Sequence, residues 1–166
     1  MAADLFFEDF KPGARFKGRV GRTVTDADNI WFTLLTNNSN QIHFNADYAA
    51  KNFAGEPFEG RMVVNGFLTL ATVAGILVEQ TSANGFMLGL RDVRFLSPVF
   101  AGDTIYAECE VTGVRESRSR PGSGIVSLRT WGYNQKGERL VDFERDFMVR
   151  KRGNAARPTP RKKEKR

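Results

Sequence analysis

Residues 62–78 read MVVNGFLTLATVAGILV, seventeen consecutive residues without a charged side chain. The run is shorter than the roughly 20 apolar residues that span a bilayer, and the polar side chains of Asn65, Thr69 and Thr72 interrupt it. A segment that is apolar on all sides but too short for a membrane is typical of a helix at the centre of a globular domain. We therefore predict a long, buried central helix that begins near Gly66.

Segments with the two-residue period of β-strands lie on both sides of this helix. One precedes it, at residues 15–24, and four follow it, at residues 86–96, 104–114, 125–133 and 140–149. The last two are separated by NQKG at residues 134–137, a typical hairpin turn. The sequence thus predicts an α+β fold in which a five-stranded antiparallel sheet wraps around the central helix.

Two shorter helices are predicted between the first strand and the central helix. Thr25 is placed as the N-cap of a helix that runs to about residue 36, because acidic residues follow it in TDAD. Asn45 is placed as the N-cap of a second, short helix. The loop GEPFEG at residues 55–60 then leads to the central helix.

The net charge of +6 is concentrated at the carboxyl end. Residues 150–166 contain nine Lys and Arg and one acid, which leaves 16 basic and 18 acidic residues in the preceding part. We predict a folded domain at residues 1–149 and a disordered basic tail at residues 150–166. The tail is either a solubilising terminus or an electrostatic handle for an anionic partner. It has no aromatic residue for stacking on bases, so we expect no nucleic-acid partner.

The cysteine content and the amino-terminal residues bear on the cellular compartment. Cys109 is the only cysteine, so the chain cannot form an internal disulfide. It alternates with Ile105, Ala107 and Val111 on one strand face, which predicts a buried structural thiol. The first residues, MAADLFFEDF, lack the pattern of a signal peptide, so we expect a cytoplasmic protein without membrane association.

Residues 36–43, TNNSNQIH, place four carboxamide side chains before the only histidine of the chain. A single histidine is more often a residue without a catalytic task than a catalyst. Two further motifs change that interpretation, namely VVNG at residues 63–66 and FLSPVFAGDT at residues 95–104. Together with the order of elements, the three motifs resemble the MaoC-like (R)-specific enoyl-CoA hydratase/dehydratase family, which has the hot dog fold. The resemblance covers about residues 5–149.

The resemblance implies specific roles for residues of the three motifs. His43 matches the catalytic histidine of the family, and the backbone N–H of Gly66 matches the group that binds the thioester carbonyl. Asn38 stands where the family has a catalytic aspartate, which departs from the pattern. Asn40, Val64 and Asn65 are predicted to bind substrate.

Hydration of an enoyl thioester requires a group that takes a proton from water, a group that delivers one to Cα, and donors to the enolate oxygen. The sequence therefore predicts a lyase that interconverts 2-enoyl-CoA and 3-hydroxyacyl-CoA thioesters. The Asn at position 38 and the VVNG motif resemble the branch of the family that acts on mesaconyl-CoA and methylmalyl-CoA. We expect no metal and no cofactor beyond the CoA of the substrate.

The resemblance also implies a homodimer or larger assembly, with the acyl chain entering between subunits. Two alternatives remain open. A hot dog thioesterase would need a carboxylate near the start of the central helix, and residues 62–78 contain none. A protein that lost activity with the aspartate would bind acyl-CoA without converting it.

Overall fold

The computed structural model describes residues 5–154. After a 3-10 turn at Phe7–Asp9, the first half contains β1 (Arg15–Lys17), β2 (Arg22–Thr23), α1 (Asp26–Leu35), a 3-10 turn at Gln41–His43, α2 (Ala46–Asn52), α3 (Gly66–Ile76) and α4 (Val78–Thr81). The second half contains four long strands, β3 (Gly85–Phe95), β4 (Thr104–Glu116), β5 (Ser123–Tyr133) and β6 (Arg139–Arg150). Thr25 and Asn45 cap α1 and α2 through their side chains, as predicted.

The strands form one antiparallel sheet in the order β1-β4-β5-β6-β3, and β2 also pairs with β4. α3 packs against β4, β5 and β6, so the sheet wraps around this helix. The predicted α+β architecture is confirmed. The predicted first strand at residues 15–24 is divided into β1 and β2, because the chain passes tightly over its neighbours at Gly18 and Gly21. A Cβ at Gly21 would lie 2.6 Å from the Tyr106 ring.

The central helix begins at Gly66, as predicted, but it is buried on one side only. Leu70 and Val73 face the sheet, whereas Phe67 is 68% exposed and Ala71 is also exposed. The expectation of a helix buried on all sides is therefore wrong for the single chain, because one sheet covers only one side of a helix. None of the helices between residues 5 and 154 has the length and apolar character needed to cross a membrane.

Helix α1 has an unusual distribution of side chains. Its two buried residues, Asn29 and Thr33, are polar, whereas Trp31, Leu34 and Leu35 are more than half exposed. Residues i and i+4 lie on the same face of a helix, so Asn29 and Thr33 form one inward-facing polar stripe. The two fully buried side chains of α1 therefore make hydrogen bonds to the segments below them.

The long strands show the predicted alternation of buried and exposed residues. Ile105, Ala107, Cys109 and Val111 are all buried, which confirms the buried thiol. In β6 the inward-facing residues Val141, Phe143, Phe147 and Val149 are joined by Arg145, which is fully buried. The sequence analysis did not identify this buried charge.

The described residues include the first part of the predicted tail, residues 150–154. β6 ends at Arg150, and the guanidinium of Arg152 lies 2.6 Å from the carboxylate of Asp9. The backbone N–H of Arg152 also donates to the carboxylate of Glu8. The rest of the predicted tail, residues 155–166, lies outside the described residues.

Candidate active site at the start of the central helix

A cavity of about 320 Å³ opens at the amino-terminal end of α3. Its walls come from the 3-10 turn before α2, the loop before α3, the first turns of α3, and the end of β3 with the loop that follows. The lining residues are His43, Pro57, Phe58, Val63, Val64, Gly66, Thr69, Phe95, Leu96, Ser97, Pro98 and Val99. The three motifs of the sequence analysis thus meet at one cavity.

The carboxamide-rich stretch first ends helix α1. Asn37 adopts a left-handed conformation with φ of +55°, which asparagine tolerates better than most residues. The N–H groups of Asn37 and Asn38 donate to the carbonyls of Leu34 and Thr33, each at 3.1 Å. This pair of hydrogen bonds is a Schellman motif, and it turns the chain away from the helix axis.

The remaining carboxamides build the turn that carries His43. Asn38 Oδ1 accepts from the backbone N–H of Asn40 at 2.9 Å, and Asn40 Oδ1 accepts from that of Ile42 at 3.3 Å. Gln41 Oε1 accepts from Asn45 Nδ2 at 2.7 Å, which ties the turn to the start of α2. Side chains of this type compete well for backbone partners, so the polar stretch specifies the loop geometry.

The imidazole of His43 is oriented by a backbone carbonyl. Its Nδ1 lies 2.8 Å from the carbonyl oxygen of Val63. A carbonyl only accepts, so Nδ1 carries the proton in the neutral ring and Nε2 is left with a free lone pair. Because His43 lines the cavity, this arrangement suits a side chain that exchanges a proton with a bound molecule.

The start of α3 offers a backbone donor to the same cavity. Asn65 caps the helix, since its Oδ1 accepts from the N–H of Phe67 at 3.0 Å. The N–H of Gly66 has no acceptor within residues 5–154, as expected for the first residue of a helix. A Cβ at Gly66 would lie 3.0 Å from the ring of Phe95, so glycine allows this ring to close one side of the cavity.

The structure brings together only part of the predicted site. His43, Gly66 and Val64 line the cavity, whereas Asn65 is buried behind it as the helix cap. Asn38 and Asn40 lie in the preceding turn and are not among the lining residues. Their predicted roles in catalysis and substrate binding remain predictions.

The sequence analysis missed Asn29, which lies on the buried face of α1 and joins three segments of the site. Its Nδ2 donates to the carbonyls of His43 and Val63 at 2.8 and 3.0 Å, and its Oδ1 accepts from the N–H of Asn65 at 2.8 Å. An asparagine in the middle of a helix carries no distinctive sequence signal, and its partners are 14 to 36 residues away along the chain.

Among the described residues that line the cavity, His43 is the only titratable side chain. As far as residues 5–154 are concerned, no Asp, Glu, Lys or Arg lines it. A negatively charged acyl group would therefore meet no carboxylate at the walls. The first turn of α3 also lacks an acid.

A second buried polar group lies towards the other end of the central helix. The guanidinium of Arg145 donates to Thr130 Oγ1 at 2.9 Å and to Thr81 Oγ1 at 3.4 Å, and its Nη1 has no partner among the described residues. Burial lowers the pKa of Arg145 and raises the pKa of the neighbouring Cys109 thiol. Arg145 is not part of the lining of the His43 cavity.

Comparisons with known proteins identify the family and the fold of this chain. The sequence model of the family described as MaoC like domain matches residues 9–131. A mesaconyl-CoA hydratase from Cereibacter sphaeroides is 35% identical over 160 residues, which cover 95% of this chain and 44% of the relative. An (R)-specific enoyl-CoA hydratase from Aeromonas caviae is 30% identical over 128 residues, which cover 77% of this chain and 88% of the relative.

A solved structure from Mycobacterium tuberculosis, described as a double hotdog fold, superimposes with a TM-score of 0.78 at 21% identity. The match covers 93% of this chain and 46% of that one. This chain thus spans less than half the length of the mesaconyl-CoA hydratase from Cereibacter sphaeroides and of the double hot dog protein. The match to the domain model over most of the chain, together with the sheet wrapped around α3, shows that this chain belongs to the MaoC-like family and has a hot dog fold.

Proposed function

We propose that this protein is a hydratase/dehydratase that interconverts 2-enoyl-CoA and 3-hydroxyacyl-CoA thioesters. The observation that carries the proposal is the pairing, at one cavity, of two groups that have no partner among residues 5–154: the Nε2 of His43 and the helix-terminal N–H of Gly66. The first can exchange a proton with water, and the second can stabilise negative charge on a thioester oxygen. The names of the relatives support the same reaction class.

In the hydration direction, His43 Nε2 takes a proton from water while the water oxygen bonds to Cβ of the enoyl group. The electron pair of the double bond moves towards the thioester carbonyl, whose oxygen becomes an enolate and accepts a hydrogen bond from Gly66 N–H. Collapse of the enolate takes a proton at Cα, which His43 can return. Dehydration follows the same path in reverse.

Asn38 is proposed not to take the proton of the catalytic water. An amide cannot act as the base that the family's aspartate provides, and the Oδ1 of Asn38 already accepts from Asn40 N–H. Its Nδ2 makes no hydrogen bond within the described residues and remains available as a donor. Proton transfer would then depend on His43 alone.

The substrate class is proposed to include acyl groups with a free carboxylate, such as mesaconyl-CoA. The neutral lining of the cavity and the neutral side chain at position 38 remove the repulsion that an acid would cause. The mesaconyl-CoA hydratases among the relatives point to the same substrates.

The active form is proposed to be a pair of hot dog units. β3 pairs only with β6 among the described residues, and its free edge exposes Phe86, Leu88, Leu90 and Phe95. A long apolar edge strand is a ready surface for pairing with a second copy. Phe95 also lines the His43 cavity, so such a partner would adjoin the site, in keeping with an acyl chain that enters between subunits.

The assembly is tested by light scattering during gel filtration. Wild type is expected to elute as a dimer or a higher even oligomer, and Leu88→Lys as a smaller species. Val20→Lys, at an exposed apolar residue outside the long strands, is the matched control and should leave the size unchanged. A monomeric wild-type protein would contradict the proposed pairing.

The reaction is tested by following enoyl absorbance and free CoA separately with crotonyl-CoA and mesaconyl-CoA. A hydratase lowers the absorbance and releases no thiol, whereas a thioesterase releases free CoA. A folded protein that binds either thioester and converts neither would be the acyl-CoA-binding alternative. Either of the last two outcomes would refute the proposed function.

A further inference from the structure

Helix α1 directs a polar face at the candidate site, and the residue at its centre contacts three separate parts of that site. Asn29 is 1% exposed and satisfies both of its N–H groups and its oxygen with backbone partners. Those partners are the carbonyl of His43, the carbonyl of Val63, and the N–H of Asn65. Asn29 does not line the cavity and has no direct route to a bound molecule.

The position of the Val63 carbonyl decides which nitrogen of His43 carries the proton. That oxygen accepts from His43 Nδ1 at 2.8 Å and from Asn29 Nδ2 at 3.0 Å, which uses both of its lone pairs. Asn29 therefore fixes the acceptor of the imidazole, in addition to fixing the backbone of the histidine itself. A displaced Val63 carbonyl would release the ring and allow the proton to move to Nε2.

The third contact of Asn29 couples the histidine to the start of the central helix. Asn65 N–H donates to Asn29 Oδ1, and Asn65 in turn caps the helix whose first free N–H belongs to Gly66. Asn65 Nδ2 also reaches Thr33 Oγ1 at 3.3 Å, one turn further along the same face of α1. One helix face thus sets both the base and the backbone donor.

We propose that Asn29 is the positioning residue of the site, which holds the Val63 carbonyl so that His43 keeps its proton on Nδ1 and presents a free Nε2. The catalytic part of this inference rests on the proposed function. The tautomer part does not, because it concerns only the state of the imidazole in the free protein. The two parts can therefore fail separately.

His43 is the only histidine in the chain, so uniform labelling of histidine with ¹⁵N reports on a single ring. Two-bond ¹⁵N–¹H spectra of wild type, at a pH where the ring is neutral, are expected to show the proton on Nδ1. A wild-type ring with its proton on Nε2 would overturn the proposal without any variant. This measurement requires no substrate and no activity.

Two variants test the role of the side chain. Asn29→Asp keeps the shape and the acceptor for Asn65 N–H but removes both donors and faces two carbonyl oxygens. Asn29→Ser is smaller and cannot reach both carbonyls at once. For each folded variant we expect a mixture of His43 tautomers, a kcat lowered by about 10–100-fold, and a KM within about threefold of wild type.

Asn134 supplies the matched control. It is also a buried asparagine, with three hydrogen bonds that stabilise the turn between β5 and β6, and it does not line the cavity. Asn134→Ser should lower Tm and leave the tautomer and kcat as in wild type. If Asn29→Ser behaves in the same way, Asn29 has only a structural role. If wild type has no hydratase activity, the tautomer spectra still decide the role of Asn29.

Discussion

Buried polar side chains lie near both ends of the helical segment formed by α3 and α4. Only the amino-terminal end has the features of a site. At the amino-terminal end, the side chain of Asn29 has partners for all its hydrogen-bonding groups. The groups without a partner in the described part of the chain, His43 Nε2 and Gly66 N–H, belong to residues that line an open cavity. At the carboxyl-terminal end, Arg145 is packed under Thr81, and one of its nitrogens has no partner within residues 5–154.

The difference shows that burial of a polar group does not by itself identify a functional site. Near His43 the buried groups are neutral and fully paired, so they order the backbone at little cost. At Arg145 a charge is desolvated, and its hydrogen-bond partners among the described residues are threonine hydroxyls rather than a carboxylate, which costs free energy of folding. The first end combines paired buried groups with an open cavity, and the second is a source of instability.

At the amino-terminal end of α3, removal of the proposed base, His43, should produce the largest change in kcat. His43→Ala is expected to lower kcat by at least about 100-fold, because general acid–base catalysis typically contributes this much or more. The fold should persist, since Asn29 Nδ2 still donates to the Val63 carbonyl. Steady-state kinetics with the better of the two enoyl thioesters, together with circular dichroism, tests this expectation. Wild-type rates in a folded variant would remove His43 from the mechanism.

At the carboxyl-terminal end, the expected effect is on stability alone. Arg145→Met replaces a desolvated charge by an apolar chain of similar length and should raise the free energy of unfolding by about 1–3 kcal/mol. Kinetic constants should not change, because Arg145 does not line the cavity. Urea unfolding monitored by Trp fluorescence measures the difference.

Arg129 provides the control for this substitution. It lies on the outer face of the sheet and pairs with Asp142 at 2.8 Å with more than half of its side chain exposed. Arg129→Met should change the free energy of unfolding by less than Arg145→Met does, because exposed ion pairs contribute little to stability. A loss of stability in Arg145→Met that exceeds the loss in Arg129→Met would mean that the two threonine contacts outweigh the desolvation of the charge.

The structure of segments with a regular alternation of apolar and polar residues was predictable from the sequence. The structure of segments that bury polar residues in place of apolar ones was not. The four long strands and the start of α3 follow from alternation and from an uncharged run, since burial on one face leaves a regular pattern. The polar inner face of α1 reverses that pattern, because Asn29 and Thr33 are buried for hydrogen bonding rather than for apolar contact. Arg145 occupies an inward position of β6 for which alternation predicts an apolar residue.

The candidate site was predictable only where its residues stand in local sequence motifs. His43, Val64 and Gly66 stand in short motifs that resemble those of a known family, and all three line the cavity. Asn29 makes its contacts across separations of 14, 34 and 36 residues, which no local pattern reveals. The run of carboxamides before His43 is evident in the sequence, but the backbone N–H groups that they bind depend on the geometry of the turn.

Two glycines of α3 allow the same substitution to be compared at both ends of the helix. A Cβ at Gly66 would meet the Phe95 ring at 3.0 Å, whereas one at Gly75 would have nothing within 4 Å. Gly66→Ala should displace Phe95 and lower kcat/KM by about 10-fold. Gly75→Ala should raise the free energy of unfolding by up to about 1 kcal/mol without affecting kinetics, because alanine favours the helix. Equal effects of the two variants on kcat/KM would contradict the assignment of the site to one end.

The smallest expected effect concerns Asn38, which lies in the turn that precedes His43. Asn38→Asp retains the acceptor for Asn40 N–H, so the turn should keep its shape and the protein its stability. The side chain does not line the cavity, so a new charge there would act on a substrate carboxylate without direct contact. We take a charge separation of roughly 10 Å for an order-of-magnitude estimate of the repulsion. At an effective dielectric of about 40 to 80 this repulsion is about 0.4–0.8 kcal/mol, or a factor of about two to four. We therefore expect the ratio of kcat/KM for mesaconyl-CoA to that for crotonyl-CoA to fall by that factor, and to recover in high salt.

Asn38→Ser is the neutral control and should leave the ratio unchanged. A fall of 100-fold in Asn38→Asp would mean that this side chain contacts the substrate directly, and an unchanged ratio would mean that it does not sense the charge of the acyl group.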